Sequence, residues 1–250
     1  MALLLEYQGT RYAGFQVQRG RPTVQGAVQE ALARLTGERI RIAGASRTDA
    51  GAHAKGQVVS FATRFGHPVL TFVTGLNHFL PEDIRVLAAQ DMLWSFHARR
   101  SARSREYRYV VLEQRSPTAL LRHLAYQAPG PFDLDKMEAA AALLVGERDF
   151  APFAGPLEGA RKSAVRTVYR FRVRRQGRFL FFTVEGNAFL PQQIRRMVGT
   201  LLEVGQSAMT LREFRKRAVG RKPASAGPCA PAHGLYLMRV TYSNVSLQAE

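Results

Sequence analysis

The chain has 250 residues and carries 36 Lys and Arg against 19 Asp and Glu, a formal charge of +17 at pH 7. With 46% hydrophobic and 10% aromatic residues it can bury a large core, which excludes disorder over most of its length, and the charge is too high for an ordinary small-metabolite enzyme. The single Cys, Cys229, excludes an internal disulfide and a thiolate zinc site, and with no signal-peptide core at the amino end a soluble, cytoplasmic protein is expected.

Ala2 to Tyr7 reads as a strand, followed by a Gly-rich polar turn. Thr23 then stands at an N-cap position, Val24, Val28, Ala31, Leu32 and Leu35 recur at helical spacing, and Gly37 closes the helix. Arg39 to Ala43 and Gln57 to Thr63 alternate as strands around a small, polar loop at residues 44–56. A second helix is expected over Val69 to Phe79, ended by Pro81, with extended segments at Ile84 to Ala88 and Trp94 to Ala98.

A second unit begins with a strand at Tyr107 to Leu112, an irregular stretch to Pro131, and a helix from about Asp135 to Val145 stopped by Gly146. Arg166 to Arg174 and Phe179 to Glu185 form a hairpin around Gln176 and Gly177. Period-two alternation sets Arg170, Arg172 and Arg174 on one face and Tyr169, Phe171 and Val173 on the other. Helices follow at Leu190 to Val204 and Leu211 to Val219, the latter with Thr210 and Glu213 at capping-box spacing, and Gly234 to Tyr242 is a closing strand. The expected fold class is α+β, two similar units at residues 1–100 and 101–250. Each is an antiparallel sheet with helices on one face, with a cleft between them.

Charge is uneven along the chain. Residues 1–98 carry 10 basic and 7 acidic groups, 99–130 carry 7 and 2, and 131–250 carry 19 and 10. Arg99, Arg100, Arg103, Arg105 and Arg108 crowd the suspected junction, with Tyr107 and Tyr109 on either side of Arg108, and residues 161–178 hold eight basic groups and no acid. Of the 36 cations 31 are Arg, which forks onto phosphate and stacks on bases, so RNA or DNA is the expected partner. These two stretches, with Arg99, Arg105, Arg172 and Arg174 as contacts, are expected to wall a basic cleft.

Neither a phosphate-binding Gly-rich loop, a dinucleotide fingerprint nor a clustered His and Cys set occurs in the sequence, leaving catalysis without a cofactor. The segment Gly44 to Ala54 places one carboxylate, Asp49, among small residues that let a bulky substrate approach, with Arg47 two positions before it. Such a carboxylate can act as nucleophile or base; equally, Thr48 or Asp49 can simply support a turn. A non-catalytic RNA-binding module accounts for the charge but not for this loop, and a base-flipping glycosylase accounts for both.

Arg47-Thr48-Asp49-Ala50-Gly51-Ala52-His53-Ala54 resembles the catalytic loop of the tRNA pseudouridine synthase A family. The resemblance extends through Tyr7 to Gln16, Phe96-His97-Ala98-Arg99, Arg105 to Tyr109, Asn187 to Leu190 and Ala230 to Leu237. It implies a homodimer, without cofactor or metal, that isomerises uridine to pseudouridine at positions 38, 39 and 40 of the tRNA anticodon stem-loop. Carried over, it makes Asp49 the nucleophile, Tyr107 an active-site residue that stacks on the base and assists proton transfer, and Arg47 the side chain that fills the space left by a flipped base. Arg195 pairs with the carboxylate, and Leu235 is an apolar residue under the base. Ala52 stands where the family commonly has Val, and Pro191-Gln192-Gln193 replaces a segment that is often His-rich. His53 belongs to the motif with a loop-fixing role.

Overall fold

A computed structural model describes residues 1–156, 163–220, 222–243 and 247, which form an α+β chain of two compact units. One unit comprises Met1–Arg105 together with Tyr236–Glu250, the other Glu106–Leu235. The carboxyl-terminal segment therefore belongs with the amino-terminal unit, a division the linear reading at residue 100 did not anticipate. Its cause is a strand pairing. β10 (Leu235–Thr241) runs parallel to β3 (His53–Ser60), with Tyr236 opposite His53 and Leu237 opposite Ala54. Gly56 permits the approach, because any side chain there would collide with the Met238 carbonyl.

In the first unit β1 (Ala2–Tyr7) lies between β3 and β4 (Ile84–Gln90), antiparallel to both, and its Leu3 and Leu5 are fully buried. Helix α1 (Val24–Thr36) opens where the Thr23 hydroxyl accepts the Gly26 N–H at 3.2 Å and closes at Gly37, whose φ of 74° only glycine adopts without strain. Helix α2 (Val69–Phe79) matches the expected span, buries Phe72 and Leu76, and lies against β4 and α1. The strand expected at Arg39 to Ala43 shrinks to β2 (Ala43–Gly44). The Ile42 N–H goes to the Gln29 side chain at 3.3 Å and its carbonyl to Gln25 at 2.9 Å, so glutamines of α1 occupy the groups a neighbouring strand would need. Trp94 to Ala98 is a pair of turns rather than extended chain, closed by the Phe96 N–H on the Leu93 carbonyl at 2.9 Å.

In the second unit β5 (Ser104–Glu113), β9 (Phe179–Gly186), β8 (Val165–Gln176) and β7 (Gly146–Asp149) lie in that order, with β6 (Tyr126–Ala128) parallel to β5. The sheet is thus mixed rather than wholly antiparallel. Helix α3 (Leu134–Ala142) is capped by Asp133 and ends before the expected Val145, because Leu144 and Val145 donate to Ala141 and Ala142 in tight three-residue turns. Helix α4 (Gln193–Gly205) starts three residues late. Pro191 has no N–H, Gln192 is left-handed at φ 59°, and the Leu190 N–H is held by the Gln193 side chain at 2.8 Å. One face of α4 buries Ile194, Met197, Val198, Leu201 and Leu202, each worth about 1.5–3 kcal/mol when fully removed from water. Helix α5 (Leu211–Ala218) carries the expected capping box between Thr210 and Glu213.

Candidate active site

The loop between β2 and β3 holds Asp49 half-exposed on a backbone that is fixed on both sides. Before it, buried Thr48 shares a 2.8 Å hydrogen bond with the Tyr7 hydroxyl, and its carbonyl accepts the Phe15 N–H at 3.1 Å. After it, the Ala52 N–H closes a turn on the Asp49 carbonyl at 3.1 Å, and the Gly51 N–H reaches the Tyr12 carbonyl at 3.3 Å. Gly14, at φ +100°, passes so close that an added side-chain carbon would sit 2.7 Å from the Thr48 carbonyl. The small residues of the amino-terminal turn thus serve the chain's own packing against the loop.

Three buried polar side chains hold the same loop. The fully buried Gln57 amide grips Ser46 twice, accepting its N–H at 3.3 Å and donating to its carbonyl at 2.7 Å. His53 is buried, accepts the Gly9 N–H on Nδ1 at 3.1 Å and stacks on Tyr236 at 4.7 Å, where burial pushes the Tyr236 phenol up to about 12. A ring nitrogen that accepts a backbone N–H is unprotonated, which supports the loop-fixing role. Arg105 was expected on the wall of a basic surface. It is instead only 7% exposed, and its guanidinium donates to the carbonyls of Ala45 at 3.2 Å, Arg99 at 2.7 Å and Ala102 at 3.3 Å. Desolvating a guanidinium is costly, and carbonyl acceptors offset that cost where they converge on it.

Arg47 and Arg99 are exposed in this unit. Below the loop the Asp83 carboxylate takes Arg11 Nε at 2.8 Å and the Tyr12 hydroxyl at 2.6 Å. Burial raises its pKa, but those two hydrogen bonds outweigh burial and hold it below the usual carboxylate range.

In the second unit Tyr107 is buried on β5, edge-on to Phe189 at 5.5 Å and 87°. Arg195, on α4, donates from Nε to the Ala230 carbonyl at 2.7 Å while the Ala230 N–H returns to its own carbonyl at 3.1 Å. Its neighbour Arg196 turns to the Gly227 carbonyl and Gln192 instead, so the adjacent arginines are distinct in position. The segment anchored by Arg195 leads through a 3-10 turn at Ala232–Gly234 to Leu235, which is buried. Tyr109 fixes the same segment by donating to the Pro231 carbonyl at 2.6 Å.

On the hairpin, Arg172 and Arg174 are exposed and, among the described residues, form no ion pair. Arg170 meets Glu106 at 2.8 Å and Glu185 at 3.5 Å, and Arg175 meets Glu113 at 3.0 Å. Tyr169 was expected on the face of Phe171 and Val173, which are buried, but is 51% exposed. The register slips between Val168 and Arg170, leaving Tyr169 as the extra residue of a bulge. Arg161 and Lys162, part of the expected basic wall, lie outside the described residues.

Gln57 and Arg105 were not singled out as supports of the loop. The available signal for Gln57 was a polar residue between Gly56 and the apolar pair Val58-Val59 in an expected strand.

A model of the tRNA pseudouridine synthase family matches residues 4–99 and 140–243. The chain is 40% identical over 240 residues to a tRNA pseudouridine synthase A of Acetivibrio thermocellus, covering 96% of this chain and 98% of that one. It is 44% identical over 247 residues to the enzyme of that name from Roseiflexus castenholzii, covering 97% and 90%, and 44% identical over 246 residues to that of Chloroflexus aurantiacus, covering 97% and 88%.

Proposed function

The chain belongs to the tRNA pseudouridine synthase family, and from that premise we propose that it isomerises uridine at positions 38, 39 and 40 of the tRNA anticodon stem-loop, with Asp49 as nucleophile. The observation that carries this reading is the Asp49 loop. A half-exposed carboxylate stands on backbone held by Tyr7, Gln57, Arg105 and the close approach of Gly14, an expenditure of buried polar groups that a plain surface turn does not need.

The chemistry asks for such a carboxylate. The N1–C1′ bond breaks, the base turns, a C5–C1′ bond forms, the C5 proton leaves to solvent and N1 gains one. Atoms balance between uridine and pseudouridine, so neither an oxidant nor a cofactor is required. Asp49 meets the electron-poor partner of the broken bond, and its fixed position removes the entropy of finding it. The uridine must first leave the helical stack, which costs a few kcal/mol, and exposed Arg47 is suited to occupy the space it leaves. The resemblance assigns Tyr107 and Leu235 as the aromatic and apolar surfaces for the extruded base, and Arg195 as the partner of the catalytic carboxylate. Arg99, Arg172 and Arg174 bind the phosphate backbone. Arg105 acts on the loop backbone instead of on RNA. The working form, as the resemblance implies, is a cytoplasmic homodimer; among the described residues no helix is long and apolar enough to cross a membrane.

Carbodiimide adducts of pseudouridine, mapped by primer extension on tRNA transcripts after incubation with the protein, test the site assignment. Stops at positions 38 to 40 are expected. Stops confined to another region of the tRNA would contradict it.

A further inference from the structure

The chain has one tryptophan, and it sits where a hydrophobic residue gains nothing from folding. Trp94 is 89% exposed and its neighbour Leu93 82% exposed, side by side on a turn of the first unit. The turn beneath them is built firmly. The Phe96 N–H closes it on the Leu93 carbonyl at 2.9 Å, and the Phe96 ring packs on Tyr242 at 5.0 Å. The Tyr242 hydroxyl donates to the Ala98 carbonyl at 2.8 Å, and the Ala98 N–H donates to Ser60 at 3.0 Å. An aromatic held out from a well-anchored turn is a surface prepared for a partner.

The next turn supplies the chemistry of that partner. The N–H groups of Arg99 and Arg100 both point at His97 Nδ1, at 3.2 and 3.4 Å, and both arginine side chains are exposed. Arg103, also exposed, follows, and no acidic residue occurs between Asp91 and Glu106. Asp91 itself lies close enough to the Met1 amino group to interact with its charge. A flat, exposed indole with neighbouring guanidinium groups that, among the described residues, form no ion pair matches single-stranded nucleic acid, whose bases stack on aromatics while phosphates take the cations.

We propose that Trp94 is a stacking platform for an unpaired tRNA nucleobase, with Arg99 and Arg100 holding the adjoining phosphates. This rests on the reading of tRNA as substrate and adds a binding subsite apart from the Asp49 loop. Because Trp94 is the sole tryptophan, its emission reports the site directly.

The test titrates the intact protein with tRNA, exciting at the red edge of tryptophan absorption, and in parallel with heparin at equal charge. Filter retention reports RNA binding, and tritium release from tRNA labelled at uridine C5 reports turnover in the same samples. Stacking predicts quenching that saturates with tRNA binding and is absent with heparin. Trp94→Ala should raise the KM for tRNA about tenfold with kcat within about twofold, and Trp94→Phe should restore KM. Unchanged emission while tRNA is retained would overturn the proposal. So would equal quenching by heparin, or an emission shift with protein concentration alone, which would place a second copy of the chain on Trp94. Quenching without tritium release would count against the isomerase reading and leave the platform standing.

Discussion

The Asp49 loop and the β8–β9 hairpin use polar residues in opposite ways. At the loop, buried Gln57, His53 and Arg105 direct their polar atoms at backbone, buried Thr48 meets the Tyr7 hydroxyl, and one carboxylate remains half-exposed on a fixed frame. On the hairpin, Arg172 and Arg174 project into solvent while Arg170 and Arg175 are neutralised by neighbouring acids. On the proposed reading, bond-making at Asp49 tolerates little misplacement, which the hydrogen bonds that hold its loop would serve. Phosphate attraction acts over several ångströms and tolerates mobile side chains, so exposure and net charge would suffice for the contact proposed for the hairpin.

Variants that exchange these behaviours test the contrast. Arg105→Ala should have the largest effect on stability, a loss of about 3 kcal/mol or more in denaturant unfolding, because three carbonyls lose a charged donor. Gln57→Leu leaves the Ser46 N–H and carbonyl without their shared partner, for about 2–4 kcal/mol. Its kinetic signature sharpens the comparison. kcat should fall by roughly ten- to a hundredfold from misplacement of Asp49, while tRNA affinity holds within about twofold. Arg172→Glu with Arg174→Glu should do the reverse, weakening binding at constant kcat and lowering the slope of log affinity against log salt by about one to two. An unchanged slope would remove the pair from the contact surface. The smallest effect belongs to Arg170→Gln. Its charge already faces Glu106 and Glu185 and it is partly exposed, so stability should change by no more than about 1 kcal/mol and tRNA affinity by less than about twofold.

Elements defined by local signals were legible in the sequence. The Thr23 cap, Gly37 and the apolar stripe between them delimit α1, and Thr210 with Glu213 marks the start of α5. Segments whose outcome depends on distant partners were not. Arg39 to Ala43 alternates like a strand, yet Gln25 and Gln29 take its backbone groups, and the parallel return of β10 to β3 leaves no trace in either strand alone. At the proposed site, the Asp49 segment stands out in the sequence because its distinctive residues are consecutive. The supports were hidden because Gln57 lies eight residues on and Arg105 on another strand, within what reads as a basic surface run. Only the fold shows that the Arg105 guanidinium turns inward to the carbonyls of Ala45 and Arg99. Tyr169 eluded period-two reasoning because it is the extra residue of a bulge, while Phe171, Arg172, Val173 and Arg174 after it keep the expected faces.

The central claim is that Asp49 performs the chemistry of a uridine that stays within the polymer. It is tested most directly by tritium release from tRNA labelled at uridine C5, followed for wild type and Asp49→Asn in the presence of a chelator. Wild type should release tritium without free uracil, while Asp49→Asn should bind tRNA with near wild-type affinity and release at least about a thousandfold more slowly. Release by Asp49→Asn at the wild-type rate, or free uracil from the wild type, would contradict the account.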